Sequence, residues 1–394
     1  MVAPLRYTRT VDTAELIYLD HAAATPLSDK VLTAMQPYFS DAFFNPSSPY
    51  APAVKVRRDY EEAKSRLASS IGARPAELIM TAGATESINL AVQGAKGHTI
   101  TSAVEHESVL AAVKKGEHTI VGVSNKGRVN PEEIKKAIRP DTRLVSIALA
   151  NGEIGTIQPL SDIAAIVREE RAKRLESGNK TPIYFHSDAS QGAGLLDIHV
   201  ARLGVDMLTL NAGKVYGPKQ VGLLWVERSV QIQPQIVGGG QERGLRSGTE
   251  NVAGTIGFAK ALELAERSRK EEVLHLARLR DLIEEKLIAA FPDATLSGDH
   301  GHRLASHLHI SFPGLDGERL VFMLESRGVL VATGSACAAN KGTRSHVLEA
   351  IGLAPDVADG SLRLSLGRLS NEENTRRAAE IIIEEATREY QRIA

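Results

Sequence analysis

Cysteine is all but missing from this chain. Its 394 residues include one, Cys337, which rules out any intramolecular disulfide. An excess of charge is missing too. Net charge is -1 and the pI is near 6.9, so nothing advertises nucleic acid or an acidic membrane as a partner. Long apolar runs are absent. LVSIALA at 144–150 falls far below a membrane span, and the N-terminal stretch has no apolar core of signal-peptide length. Neither an internal repeat nor a low-complexity segment occurs. These absences lead us to expect a cytoplasmic protein with no membrane partner and no direct nucleic-acid partner. Hydrophobic residues make up 43% and charged residues 24%, an ordinary balance for a soluble globular protein. The length exceeds one ordinary core and fits a large domain plus a smaller one.

Apolar patterning then gives the architecture. From about residue 54 to 227, helical and strand-like segments alternate, which predicts an α/β unit with a mostly parallel sheet covered on both faces. LVSIALA is apolar on both faces, as a central parallel strand should be. From Asn251 the pattern becomes one long helical region, followed by a strand HLHISFP, a helix GERLVFMLESRG, the segment VLVATGSACAANKG, a strand SLRLSLG and a final helix. That mixed order predicts a small α+β domain. We place the large domain at 15–255 and the small one at 1–14 and 256–394.

Ligands of open parallel sheets sit beyond the carboxyl ends of the strands. After ELIMTAG come Gly83, Ala84, Thr85, Glu86 and Ser87. Small residues and a hydroxyl at a helix N-terminus suit a phosphate, and suit a plain helix cap equally. After HTITSA comes His106, read either as a ring that stacks on a ligand or as a capping histidine. After the apolar TPIYFHSDA come Asp188 and Gln191, and Asp188 needs a partner for its charge. MLTL leads through Asn211, Ala212 and Gly213 to Lys214, just before a Tyr-Gly-Pro turn. Lys214 and Asp188 follow separate strands and can converge across a crevice. A carboxylate for a protonated ring nitrogen and an imine-forming lysine are the minimal kit for pyridoxal phosphate. Cys337 lies among small residues, Gly334 to Gly342, where a reactive thiol is accessible. Arg363 and Arg368 are candidates to grip a carboxylate. Four histidines, His300, His302, His307 and His309, fall within ten residues, but no carboxylate or cysteine completes a metal-ligand spacing. No metal site is expected.

The motifs YLDHAAATP (18–26), NPSS (45–48), GATES (83–87), EHESVL (105–110), NGEIGTIQ (151–158), HSDASQ (186–191), GKVYGPKQVG (213–222), GGGQERGLRSGTEN (238–251), TGSAC (333–337) and LRLSLGR (362–368) occur in order along nearly the whole chain. Together they resemble the cysteine desulfurases, fold-type I pyridoxal-phosphate enzymes of the aminotransferase class V superfamily. The TGSAC loop and its long following segment resemble the class that feeds iron–sulfur scaffold proteins.

That resemblance implies a role for each matching position. Lys214 would carry the cofactor as an imine and, once freed, take the substrate Cα proton. Asp188 would pair with the pyridinium nitrogen, His106 would stack on the ring and help with protons as a further catalytic group, and Gln191 would bond the ring hydroxyl. Ala84 and Thr85 would hold the phosphate, with Thr249 reaching a phosphate across a homodimer interface. Arg363 would bind the substrate carboxylate, with Asn45 close by. Cys337 would be the nucleophile that takes sulfur from L-cysteine, leaving L-alanine, and passes it to an acceptor for iron–sulfur cluster assembly or thio-modification. The alternatives on the same scaffold are a selenocysteine lyase, a β-eliminating lyase or a weakly catalytic scaffold homologue.

Three positions depart from that pattern. The usual Ser-Gly-His-Lys is Asn211-Ala212-Gly213-Lys214, so an imidazole that would reach the phosphate is absent. The usual Asn-Asn-Glu is Asn151-Gly152-Glu153, and the usual histidine after NPSS is Tyr50. Each lost hydrogen bond to a charged group costs roughly 1.5–3 kcal/mol unless replaced. Asn211 is placed to substitute for the serine as a phosphate donor.

Overall fold

A computed structural model describes residues 16–334 and 344–394. Cys337 and its loop lie outside the described residues. The strands are β1 (Ile17–Tyr18), β2 (Leu78–Thr81), β3 (His98–Ser102), β4 (His118–Val121), β5 (Thr142–Ser146), β6 (Tyr184–Asp188), β7 (Met207–Asn211), β8 (Gly222–Val226), β9 (Thr295–Leu296), β10 (His307–Ser311), β11 (Val329–Leu330) and β12 (Ser361–Ser365). Seven of them form the main sheet in the order β2-β8-β7-β6-β5-β3-β4. Strand β8 runs antiparallel to both its neighbours, β2 and β7. The other pairings are parallel. The ends of β2, β3, β6 and β7 therefore share one edge, and the segments that follow them lie there together.

Strand alternation sends side chains to two buried faces. Leu78, Met80, Leu208, Leu210 and Trp225 enter one core. Ile79, Leu144, Met207 and Leu224 enter the other. Helices seal both. Ala51–Ile71 begins with Pro52 in its first turn and ends at Gly72, whose φ is +69°. A Cβ at Gly72 would come 2.1 Å from the His199 ring, so both the left-handed turn and the packing call for glycine there. The Pro49–Pro52 stretch is the start of this helix, with Tyr50 as its N-cap.

The long helical region is one helix, Val252–Ala290, and it spans two cores. Its residues through Ala265 pack in the first. Leu276, Leu279, Ile283 and Leu287 pack in a second, with Ile17, Leu19, Leu308, Ile310, Leu362 and Leu364. The boundary drawn at 255–256 thus falls inside this helix, and β1, which pairs with β11, belongs with the second core.

In the small unit β10 lies between β9 and β12. One face of that sheet is apolar. The other carries the facing pairs His307–Ser365, His309–Arg363 and Ser311–Ser361, all buried.

Candidate active site

Two adjacent strands set the centre. In β6, Asp188 pairs with Thr209 of β7, so Asp188 and the residues that follow Asn211 emerge side by side. A single 3-10 turn, Ala212–Lys214, carries the chain onward. Asn211 Oδ1 caps it by accepting from Gly213 N at 3.0 Å. Thr25 braces the turn from outside. Its hydroxyl donates to the Gly213 carbonyl at 3.1 Å and accepts from Tyr216 N at 2.9 Å. The Lys214 amine donates to the carbonyls of Ala22 and Ala23 at 2.7 and 2.8 Å. Gln191 Nε2 donates to the same Ala22 carbonyl at 3.1 Å. The 20–25 segment is thus the cradle of the lysine turn, a part that strand-end reasoning missed. Its traces in the sequence were a run of small residues after a short apolar strand and the motif YLDHAAATP, to which no role was attached.

His106 caps the helix Glu107–Val113, with its Nδ1 accepting from Ser108 N at 3.1 Å. His106 is exposed in the single chain. Surrounding protein pushes its pKa down, Asp188 opposes this, and Lys214 adds to it. Asp188 and Lys214 thus both act electrostatically on His106. Asp188 Oδ1 accepts from Ser190 N at 2.9 Å. Behind it lies His186, fully buried between Ser146 Oγ and Thr209 Oγ1, each 2.9 Å away. Burial lowers the His186 pKa to about 4, so the ring is neutral. Glu105, beside His106, is also buried. It accepts from Ser102 Oγ at 2.7 Å and Ala148 N at 3.0 Å, yet desolvation raises its pKa to about 8.

The helix N-terminus at this edge is built on glycine. Gly83 (φ +138°) precedes the helix Ala84–Ala95, with Ala84 and Thr85 in its first turn, where N–H groups lack helical acceptors. Gly222 pairs with both Thr81 and Asn211, which brings Asn211 to this end. A Cβ on Gly222 would strike the Gly83 backbone at 2.6 Å. Gly213 differs, because a Cβ there meets only Asn211 Oδ1 at 3.5 Å and Lys219 at 3.9 Å.

The second departure has a structural counterpart. At Gly152 a Cβ would lie 2.8 Å from Gln191 Nε2 and 3.1 Å from its Cγ, so the Gln191 side chain occupies the space a larger residue would need. The Gly152 carbonyl accepts from Arg363 Nη1 at 3.4 Å. Arg363 Nη2 is bonded to Asp20 Oδ1 at 2.6 Å, and its side chain is nearly fully buried. Asn45 caps its own turn, accepting from Ser47 N at 2.9 Å. Thr249 is exposed. Arg368 pairs with Glu272 at 3.1 Å and lies 4.1 Å over the Tyr216 ring, already engaged on the outer side. His300 and His302 are exposed beside Glu284 and Asp299, whereas His307 and His309 are buried in β10. Among the described residues no group of histidine, cysteine and carboxylate side chains gathers as a metal site.

The residues flanking the Cys337 loop frame the cleft. Arg363 N donates to the Ala332 carbonyl at 2.6 Å. A Cβ on Gly334 would lie 3.3 Å from Glu153 Oε1. Beyond the loop, His346 Nε2 donates to the Glu105 carbonyl at 2.9 Å.

Residues 17–377 match the aminotransferase class-V family model. The chain belongs to that family, in its cysteine desulfurase branch. It is 42% identical over 370 residues to the cysteine desulfurase IscS of Dictyoglomus turgidum, covering 91% of each chain. It is 40% identical to that of Methanosarcina thermophila, covering 93% of this chain and 91% of the other. Among solved structures, a NifS-like protein superposes with a TM-score of 0.85 at 33% identity, covering 94% of this chain and 98% of that one. SspA in complex with cysteine gives 0.75 at 34% identity, covering 89% and 98%. The α/β architecture with its mostly parallel sheet is the fold of these relatives.

Proposed function

We propose that the protein removes sulfur from L-cysteine, releases L-alanine, and holds the sulfur as a persulfide on Cys337. The observation that carries this reading is the convergence of Lys214, Asp188 and His106 beside a glycine-cradled helix N-terminus. The donor set fits pyridoxal phosphate. An amine stands next to a carboxylate, a ring can stack, and first-turn N–H groups at Ala84 and Thr85 suit a dianionic phosphate. Asn211 lies at the same end and is assigned to the phosphate. Once bound, the cofactor supplies the electron sink for bond-breaking at the substrate Cα.

The chain's own groups do the rest. Lys214 anchors the cofactor, then takes and returns the proton at Cα. Asp188 keeps the ring nitrogen protonated, Gln191 orients the ring hydroxyl, and His106 covers the ring. Arg363 receives the substrate carboxylate with Asn45 beside it, and in doing so must share its bond to Asp20. Cys337 thiolate attacks the substrate sulfur. An S–S bond forms, the C–S bond breaks, and its electron pair leaves with the alanine skeleton.

Thr249 is exposed in the single chain, which suits donation to a second copy's phosphate in a homodimer. The acceptor is a sulfur carrier or an iron–sulfur scaffold protein, and the site of action is the cytoplasm. The test is product analysis on the purified enzyme with L-cysteine. Alanine and persulfide should appear in equal amounts, and Cys337→Ala should abolish the persulfide. Lys214→Ala should lose the visible cofactor absorbance and at least a hundredfold in turnover, in line with the ~10²–10⁴ of general acid–base catalysis. Pyruvate and ammonia in place of alanine would overturn the reading.

A further inference from the structure

Behind Lys214 lies a cavity of about 40 Å³, reaching from Lys214 and Gln191 at its inner end to Arg368 and Glu272 at its outer end. Arg368 is exposed, so the outer end meets solvent. The wall residue that matters is His21, which is 6% exposed. Its Nδ1 lies 3.1 Å from the Ser365 carbonyl. A carbonyl only accepts, so Nδ1 carries the proton and Nε2 of the neutral ring presents a lone pair. Burial lowers the His21 pKa, which favours the neutral ring. Among the described residues no donor meets His21 Nε2.

A buried acceptor left unpaired costs about 1–3 kcal/mol, so the cavity calls for a small donor. The volume exceeds the roughly 10–15 Å³ that one water requires. The position is also built for this ring. A Cβ on Gly367 would come 2.1 Å from His21 Cδ2 and 2.5 Å from Tyr216 Oη. The next residue, Ala22, supplies the carbonyl that accepts from the Lys214 amine at 2.7 Å. His21 thus stands one residue from the point where the amine is held.

We propose that this cavity is a water-filled proton port, in which waters anchored on His21 Nε2 connect the Lys214 amine to bulk solvent between Arg368 and Glu272. The proton that Lys214 takes from the substrate Cα passes to water and is replaced from water. Charge and atoms balance with no redox partner. His21 is a positioning residue, since it holds the water and touches neither substrate nor cofactor. The proposal rests on Lys214 being the base, as assigned above.

The test measures deuterium incorporation at Cα of L-alanine in D2O by the cofactor-loaded enzyme. His21→Leu should slow exchange at least tenfold, with cofactor absorbance and the KM for alanine unchanged. His21→Gln, which retains an acceptor, should recover most of the rate. A high-resolution crystal structure of the unaltered enzyme should place an ordered water in hydrogen-bond reach of Nε2. Normal exchange in His21→Leu, equal loss in His21→Gln, or a dry cavity would each overturn the port alone. Cofactor binding without any exchange in the unaltered enzyme would instead overturn Lys214 as base, and the port with it.

Discussion

Gly213 shows how one residue can be altered without altering its surroundings. The turn that holds it is capped by Asn211 and braced by Thr25, and neither contact uses a side chain at 213. A Cβ there would be in ordinary van der Waals contact, with nothing nearer than 3.5 Å. Gly213→His should therefore fold normally and place an imidazole beside the helix N-terminus proposed to hold the phosphate. A hydrogen bond to a charged group is worth about 1.5–3 kcal/mol, so the dissociation constant for pyridoxal phosphate should fall roughly tenfold or more. Equilibrium titration of the stripped protein measures this, and unchanged affinity would show that 213 does not face the phosphate. The placement of Lys214 and Asp188 after adjacent strands was legible in the sequence because an abrupt end to an apolar strand is a local pattern. The Gly152–Gln191 contact was not, since the two sit 39 positions apart and meet only because β6 lies beside β5.

Elements are joined here by side chains that no local pattern reveals. The clearest is Glu242, in the glycine-rich 238–251 segment. Its carboxylate accepts from Tyr60 Oη at 2.5 Å, Lys64 Nζ at 3.0 Å and Met80 N at 2.8 Å. It ties that segment to the helix Ala51–Ile71 and to β2. The backbone is strained to reach them, with φ at +48° for Glu242 and +63° for Arg243, a region that costs non-glycine residues of order 1–3 kcal/mol each. Lys64 and Glu242 are both buried. Removing one partner of such a pair costs about 3–5 kcal/mol. Glu242→Ala should lose stability on that scale in chemical denaturation, and a loss below about 1 kcal/mol would show that the carboxylate is not the tie described. The helices and most strands were readable because their periods repeat within a few residues. The antiparallel course of β8 and the pairing of β1 with β11 were not, because both depend on where the chain returns after long excursions.

Acid stability belongs to the whole molecule, because the relevant groups are spread over both cores. His186 sits at about 4, and His307 and His309 at about 3, all pushed down chiefly by burial. An unfolded histidine titrates near 6.5. Between pH 6.5 and about 4 the unfolded chain therefore binds protons that the folded chain refuses, and stability falls as pH falls. Each such group contributes a slope of about 1.4 kcal/mol per pH unit. Glu105 acts in the opposite sense. Its pKa is raised to about 8, so its contribution is present at low pH and lost as pH rises from about 4.5 toward 8. One carboxyl does not offset three imidazoles below pH 6.5, so the protein should unfold cooperatively on acidification with a steep dependence. His309 is the sharpest probe, since neither ring nitrogen has a hydrogen-bond partner among the described residues. His309→Phe keeps a planar ring and removes the titration. Its unfolding free energy, measured in urea from pH 7 to 5, should decline less steeply than that of the unaltered protein, by about 1 kcal/mol per pH unit on average and approaching about 1.4 toward pH 5. Parallel curves would mean that His309 is already protonated in the fold, with Arg363 beside it moved to make that charge tolerable.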